Sequence, residues 1–122
     1  MSGFDQLVTF VRVADIDRSS AFYGGVLGLE LVRDQGACRI FRVSGDGFLG
    51  VCVATEPFEP DDRVILTLVA DDIAGWGERL AAAAVTIEKP PTDYPEFEIT
   101  HLFARDPDGY LVEIQRFWEH LG

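Results

Sequence analysis

Apolar and polar positions alternate, or repeat at helical spacing, along nearly the whole chain. Between Leu7 and Val13, successive side chains point to opposite faces, with the period of two that is typical of a strand. Clusters of Gly, Pro, Asp and Ser separate this segment from similar ones further along. The pattern predicts eight strands, at Leu7–Val13, Leu29–Arg33, Cys38–Val43, Phe48–Ala54, Val64–Ala70, Val85–Glu88, Phe97–Arg105 and Tyr110–Phe117. It predicts a proline-rich loop at Lys89–Pro95.

Two segments have helical spacing instead. The first follows Asp15, a residue type that caps helices, and ends at Gly28 after an unusual Gly24-Gly25 pair. The second follows Asp71 and Asp72, and its apolar residues share one helix face. That face is formed by Ile73, Trp76, Leu80 and Ala83.

The order of these elements repeats. Val-Ala-Asp motifs open both helices, at 13–15 and 69–71, and Asp-Gly-aromatic-Leu motifs open both final strands, at 46–49 and 108–111. A repeat of this kind fixes the architecture. The sequence predicts one α+β domain over 1–122 with two tandem βαβββ modules, about 4–56 and 63–118, joined by a connector at 57–62. Neither module can bury both faces of its sheet alone, so the two are expected to form a curved mixed-sheet cup.

The charge balance narrows the range of partners. The 122 residues carry 21 acidic and 10 basic side chains, giving a net charge of −11 at pH 7. Such a surface repels phosphate backbones and anionic membranes, so we expect no nucleic-acid or membrane partner. No apolar run reaches the roughly 18 residues of a membrane span, and the first residues lack a secretory pattern. A cytoplasmic protein is expected.

The two cysteines, Cys38 and Cys52, are too few for a zinc site. Both lie in apolar strand segments, where a free cysteine commonly packs as a small hydrophobic residue. The sequence therefore predicts buried thiols.

Three segments carry a resemblance to a known superfamily. They are Arg-Val-Ala-Asp-Ile-Asp-Arg-Ser-Ser-Ala-Phe-Tyr at 12–23, Val-Leu-Gly-Leu-Glu at 26–30, and Arg-Asp-Pro-Asp-Gly-Tyr-Leu-Val-Glu-Ile at 105–114. The chain resembles the vicinal oxygen chelate superfamily, which includes glyoxalase I, extradiol dioxygenases and bleomycin resistance proteins. The resemblance implies a cup of two βαβββ modules and a homodimer. It does not fix an activity, since one fold hosts many sites.

Enzymes of that superfamily hold a divalent metal at four strand positions. Carried over to this chain, those positions are Val8, Ile65 (or Val64), Val51 and Glu113. Only Glu113 can bind a metal, and a catalytic metal needs about three protein ligands. The sequence therefore predicts no metal and no cofactor.

Glu113 is the one residue of this set with a polar side chain, which could take part in binding or catalysis. It is expected to lie buried in an apolar cup without a lysine at hand, with Arg12 and Arg39 as the nearest cations. Such a carboxylate either pairs with a cationic ligand or acts as a general base, unless it is a relic bonded to its strand neighbours. Simple hairpin pairing places His101 on the opposite face, whereas the resemblance implies that His101 enters the cup beside Phe103.

The expected function follows from these points. We expect a metal-independent protein that binds an aromatic or cationic small molecule, as an antibiotic-binding bleomycin resistance protein does. The alternative is a lyase or isomerase that uses Glu113 with His101 as catalytic residues, with no metal or with a non-standard metal site. The expected ligand-binding residues are Val8, Phe10, Phe41, Phe48, Val51, Ile65, His101, Phe103 and Glu113.

Overall fold

A computed structural model describes residues 3–122 and divides the chain into two compact units, with the boundary between Glu59 and Pro60. Each unit contains one four-stranded mixed sheet and runs in the order βαβββ. The predicted α+β class and the tandem modules are therefore confirmed. Within residues 3–122, no helix is long and apolar enough to cross a membrane.

The first unit follows the predicted pattern closely. Its elements are β1 (Leu7–Val13), α1 (Ile16–Ser20), a π-helix (Ala21–Val26), β2 (Glu30–Asp34), β3 (Cys38–Ser44) and β4 (Gly47–Val53). The strands lie in the order β1-β4-β3-β2, with β1 parallel to β4 and the other pairs antiparallel.

The first helix begins as predicted but changes its winding. Asp15 caps it, since its carboxylate accepts hydrogen bonds from the backbone N–H groups of Asp17 and Arg18. After Ser20 the helix widens into a π-helix that contains Gly24 and Gly25. Gly24 lies against the ring of Phe41, where an added Cβ would come within 3.2 Å of the ring. The glycine therefore allows the helix to approach the sheet.

Cys38 and Cys52 form a disulfide in the structure. They are paired neighbours on β3 and β4, with their Cα atoms 4.1 Å apart. The prediction of buried free thiols was wrong, because the strand register that brings the two side chains together was not visible in the sequence.

The second unit contains β5 (Leu66–Val69), α2 (Ile73–Ala82), β6 (Ile87–Tyr94), a 3₁₀ turn (Pro95–Phe97), β7 (Ile99–Arg105) and β8 (Leu111–Phe117). The sheet order is β5-β8-β7-β6. Residues 89–95 were expected to form a loop, and this was wrong for 89–94. β6 is an edge strand, where Pro90 and Pro91 are tolerated, and its pairing with β7 is irregular at that point.

Helix α2 covers one face of this second sheet. Asp72 caps it by accepting a hydrogen bond from the Gly75 backbone N–H, and Ile73 and Leu80 are buried. Gly77 lies where a Cβ would come within 2.9 Å of the Pro91 ring and 3.8 Å of Leu102. Leu102, which is fully buried, therefore points toward α2, as does its pairing partner Ile114.

We expect Gly77→Val to lower the free energy of unfolding by about 1–3 kcal/mol, because the added methyl groups overpack the contact with Pro91. Gly25→Ala is the matched control, since nothing lies within 4 Å of its Cβ position and alanine favours helix by about 1 kcal/mol. Urea denaturation measures both. Wild-type stability in Gly77→Val would contradict the packing described here.

Arg105 ties the connector to the second sheet. Its guanidinium donates hydrogen bonds to Asp62 in the connector and to Glu88 on β6. The hydrogen bond from Arg105 holds the pKa of Asp62 below its ordinary value. The connector is thereby fixed at the end of the sheet where β7 turns into β8.

Candidate functional site

The site is built on the face of the second sheet that points away from α2. Side chains alternate along a strand, so Glu113 points away from α2 while its neighbours Val112 and Ile114 point toward it. Phe103 pairs with Glu113 and His101 pairs with Gln115. His101, Phe103 and Glu113 therefore share one face, as the resemblance implies and simple hairpin pairing does not. The hairpin loop at 106–110 has five residues rather than four, which sets this register.

Glu113 is buried and has two hydrogen-bond partners. Its Oε2 lies 2.6 Å from His101 Nδ1, and its Oε1 accepts a hydrogen bond of 2.8 Å from the Thr67 hydroxyl. Thr67 is the residue of β5 that pairs with Glu113. Of the alternatives left open for this carboxylate, bonding to its strand neighbours is the one that the structure shows, because Thr67 and His101 bond to both oxygens.

Lys89 completes this group from β6. Its Nζ lies 3.0 Å from His101 Nε2, and Lys89 pairs with Phe103 across the strands. The expectation that no lysine lies near Glu113 was wrong, because residue 89 was assigned to a loop. Of the two arginines expected nearby, Arg39 bonds instead to Asp17 and Ser20 within the first unit.

The hydrogen bonds fix where the protons lie. A lysine ammonium can only donate hydrogen bonds, so His101 Nε2 accepts one from Lys89, and the N–H at Nδ1 donates to Glu113. The order is Lys89 ammonium, neutral imidazole, carboxylate and Thr67 hydroxyl. We call these four residues, Lys89, His101, Glu113 and Thr67, the polar chain. The positive charge of Lys89 and the negative charge of Glu113 compensate each other.

Aromatic rings surround the polar chain. The His101 ring lies 5.0 Å from the Phe103 ring and 6.0 Å from the Tyr94 ring, and Tyr94 stacks at 5.0 Å on Phe97. The Lys89 ammonium lies over the Tyr94 and Phe103 rings, 5.3 and 5.9 Å from their centres. Phe97 is 65% exposed, so apolar surface remains accessible next to Tyr94. This combination suits a planar ligand with a polar group.

The candidate residues of the first unit do not lie on one face. Phe41 packs against the helical segment, 6.4 Å from the Tyr23 ring, and it shares that face with Val51, which is fully buried. Their expected role in lining a ligand site was wrong, since the helix covers them. Val8 pairs with Phe48 on the opposite face, as does Phe10 with Gly50.

The residues that lie beside Glu113, and those that correspond to it in the first unit, differ from the ones expected from the sequence. Thr67, rather than Ile65, lies beside Glu113, and Ile65 precedes β5 and is 42% exposed. In the first unit the pair that corresponds to Thr67 and Glu113 is Phe10 and Gly50, where the phenyl ring fills the space a Cβ would need. A polar pair in one unit is thus replaced by an aromatic ring in the other.

A family model described as Glyoxalase/Bleomycin resistance protein/Dioxygenase superfamily matches residues 3–114 of this chain. The chain belongs to this superfamily. A protein of Vibrio cholerae named "Probable lactoylglutathione lyase" is 29% identical over all of this chain and 98% of its own length.

Two solved structures share the fold of this chain. An integron cassette protein from the mobile metagenome of the Halifax Harbour sewage outfall superposes with a TM-score of 0.80 at 21% identity, covering 95% of this chain and 99% of its own. A lactoylglutathione lyase from Agrobacterium tumefaciens superposes with a TM-score of 0.73 at 24% identity, covering 95% and 94%. At these identities the likeness extends to the fold alone.

The donor set of this superfamily member does not fit a divalent metal. Among residues 3–122, no group of three His, Cys, Asp or Glu side chains could hold a metal ion, and on this face of the second sheet His101 and Glu113 bond to each other. The ammonium of Lys89 lies at the remaining nitrogen of His101, where it would repel a metal cation. A catalytic metal with fewer than three protein ligands is rarely held.

We therefore expect the melting temperature to be the same with and without excess EDTA. A metal that binds only the folded state would add about 2.7 kcal/mol at a hundred times its dissociation constant, and a melting curve resolves such a change. Elemental analysis of the purified protein for Zn, Ni, Mn and Fe is the companion measurement. A drop of several degrees with EDTA would contradict this interpretation of the donor set.

Proposed function

We propose that this superfamily member is a metal-independent small-molecule-binding protein whose site is the face of the second sheet formed by the polar chain and its aromatic neighbours. The observation that carries the proposal is a buried, fully hydrogen-bonded His101–Glu113 pair set beside the rings of Phe103, Tyr94 and Phe97. A polar group among apolar surfaces orients a ligand, and the rings supply contact area.

The charges around the site favour an uncharged ligand. Glu113 is already compensated by Lys89 through His101, which removes its value as the counter-ion of a cation. Glu96 and Glu98 lie exposed at the nearby turn, and the chain carries a net charge of −11, which disfavours an anion. The Lys89 ammonium has N–H groups beyond the one that His101 accepts. An aromatic molecule with a neutral carbonyl oxygen fits this arrangement.

Titration of ¹⁵N-labelled protein with benzamide, benzoate and benzylammonium tests the proposal. We expect benzamide to bind most tightly and to shift amide signals of β6, β7 and β8. Lys89→Met should weaken benzamide binding about tenfold, the value of one hydrogen bond to a charged donor. Phe48→Ala, on the first sheet, is the control and should leave the affinity unchanged. Preferential binding of benzylammonium would overturn the neutral-ligand assignment.

A second candidate function is a lyase or isomerase in which His101 acts as general base. The 2.6 Å contact between Nδ1 and the Glu113 carboxylate favours it, because it orients the imidazole, and Nε2 can accept a substrate proton when the half-buried Lys89 turns away from it. Exchange of the methyl protons of acetophenone in D₂O, followed by NMR, tests for such a base. Formation of lactoylglutathione from methylglyoxal and glutathione, the compound in the relatives' names, is the second assay. His101→Gln should abolish either activity.

We also propose that the chain forms a homodimer, is cytoplasmic and has no nucleic-acid partner. The acidic surface supports the last point, and exposed apolar residues such as Phe4 and Leu7 support self-association. Light scattering at micromolar concentration tests the dimer, and a monomer would contradict it. A disulfide persists mainly in oxidising compartments, so a cytoplasmic location predicts that Cys38 and Cys52 are reduced and become alkylated in intact cells. Protection of both cysteines by their disulfide would contradict that location.

A further inference from the structure

We propose that Lys89 is a nucleophile that forms a Schiff base with an aromatic aldehyde or ketone, with His101 moving the protons and Glu113 as the positioning residue. This inference rests on the proposed function, because it concerns the same face of the second sheet. It goes beyond binding, because it assigns a covalent step and a substrate class.

The geometry is that of an activated nucleophile. Such a site has a nucleophile within hydrogen-bond reach of a base, and a third group that orients the base. Here Lys89 Nζ lies 3.0 Å from His101 Nε2, and Glu113 Oε2 lies 2.6 Å from His101 Nδ1. Three strands supply the three residues, since β6 carries Lys89, β7 carries His101 and β8 carries Glu113. The Thr67 hydroxyl from β5 holds the other carboxylate oxygen.

The surroundings favour this chemistry at Lys89 in particular. It is the only lysine of the chain, and it is half-buried between aromatic rings rather than extended into solvent. Lysines that form Schiff bases are held in such partly desolvated positions, and the flexible amine reaches a carbonyl carbon readily. The Tyr94 and Phe103 rings beside Nζ offer a surface on which the ring of an aromatic carbonyl compound can stack.

The step balances within the polar chain. The Lys89 ammonium gives a proton to His101 Nε2, and the resulting imidazolium is stabilised by Glu113. The amine lone pair forms the N–C bond as the carbonyl π bond breaks, and the imidazolium proton passes to the oxygen. The hydroxyl oxygen then takes up one of the protons bound to nitrogen and leaves as water. The nitrogen lone pair forms the C=N bond as the C–O bond breaks, which gives an iminium. One ammonium and one carbonyl compound become one iminium and one water, so the positive charge beside the rings is retained.

Reductive trapping with benzaldehyde and cyanoborohydride at pH 7 tests the inference. Peptide mass spectrometry distinguishes a benzyl group on Lys89 Nζ, the only lysine of the sequence, from one on the N-terminal α-amine. We expect Lys89 of the folded protein to be labelled faster than the α-amine. Unfolding in urea takes Lys89 away from His101 and should slow its labelling about 100-fold, within the range of general acid–base catalysis. Labelling of Lys89 that is as fast in urea as in the folded protein would overturn the inference.

Variants separate the roles. Glu113→Gln and His101→Gln should each slow labelling of Lys89 at least about tenfold relative to the α-amine, while the circular dichroism spectrum stays unchanged. His120→Gln, which alters an exposed histidine paired with Asp71, is the control and should label as wild type does. Lys89→Arg should retain only the α-amine label. Unchanged labelling in Glu113→Gln would mean that Glu113 has no positioning role and would overturn that part.

The two proposals fail in different ways. If benzamide shifts the signals of β6 to β8 but Lys89 is not trapped, the covalent step is wrong and the binding site stands. If Lys89 is trapped rapidly while benzamide causes no shift, the nucleophile stands and the site does not hold neutral aromatic ligands without a covalent bond.

Discussion

Phe41→Ala is expected to lower the free energy of unfolding by about 3–5 kcal/mol, the usual cost of removing a buried phenyl ring. Phe41 is 2% exposed and contacts both Tyr23 and the backbone of the helical segment at Gly24. The gap left by the ring cannot be filled by Gly24, which has no side chain. Urea denaturation followed by circular dichroism measures the change.

Phe10→Ala is the matched control for Phe41→Ala. Phe10 lies on the other face of the same sheet and is 53% exposed, so the loss should be about 1 kcal/mol. The folded fraction of Phe41→Ala should bind benzamide as wild type does, because the proposed site lies in the second unit. Weaker binding per folded molecule would restore Phe41 as a ligand contact and contradict its position under the helix.

The fold could be predicted from the sequence because two kinds of local signal agreed. Asp15 and Asp72 cap the two helices, and the Asp-Gly turns precede both final strands, so the repeat was readable without any long-range information. The sequence did not predict correctly the face of the sheet to which each strand side chain points. A strand has a period of two, so an error of one residue in the turn moves every side chain to the other face. The sequence repeat matches Val51 with Glu113, but Val51 faces the helical segment and Glu113 faces away from α2, so the two positions are not equivalent.

The site was half predictable for a related reason. Glu113 and His101 were found because the resemblance carries a metal-ligand position onto Glu113 and implies that His101 enters the cup. Lys89 was missed because Pro90 and Pro91 favour a loop, and only the position of β6 at the sheet edge makes them compatible with a strand. Thr67 was missed because the resemblance placed the matching position at Ile65, two residues before the residue that pairs with Glu113. The single signal in the sequence was that Lys89 is the only lysine.

Glu113→Leu is expected to lower the free energy of unfolding by about 2–3 kcal/mol, the cost of leaving a buried hydrogen-bond donor without an acceptor. It leaves the His101 Nδ1–H without an acceptor and the Lys89 charge without compensation. Glu113→Gln should cost less, about 1–2 kcal/mol, because an amide keeps an acceptor for His101 and only the charge is lost. Thermal and urea denaturation at pH 7 measure both.

The double variant His101→Phe/Glu113→Leu decides whether Glu113 acts through His101. Replacing both members of a buried polar pair by apolar groups is far less costly than removing one, and Lys89 is half-buried and can turn toward solvent. We therefore expect the double variant to be more stable than Glu113→Leu alone. If the two substitutions instead add, each residue contributes through separate contacts, and the 2.6 Å contact between them carries no coupling. Such a result would also remove the basis for treating Lys89, His101 and Glu113 as one chemical unit.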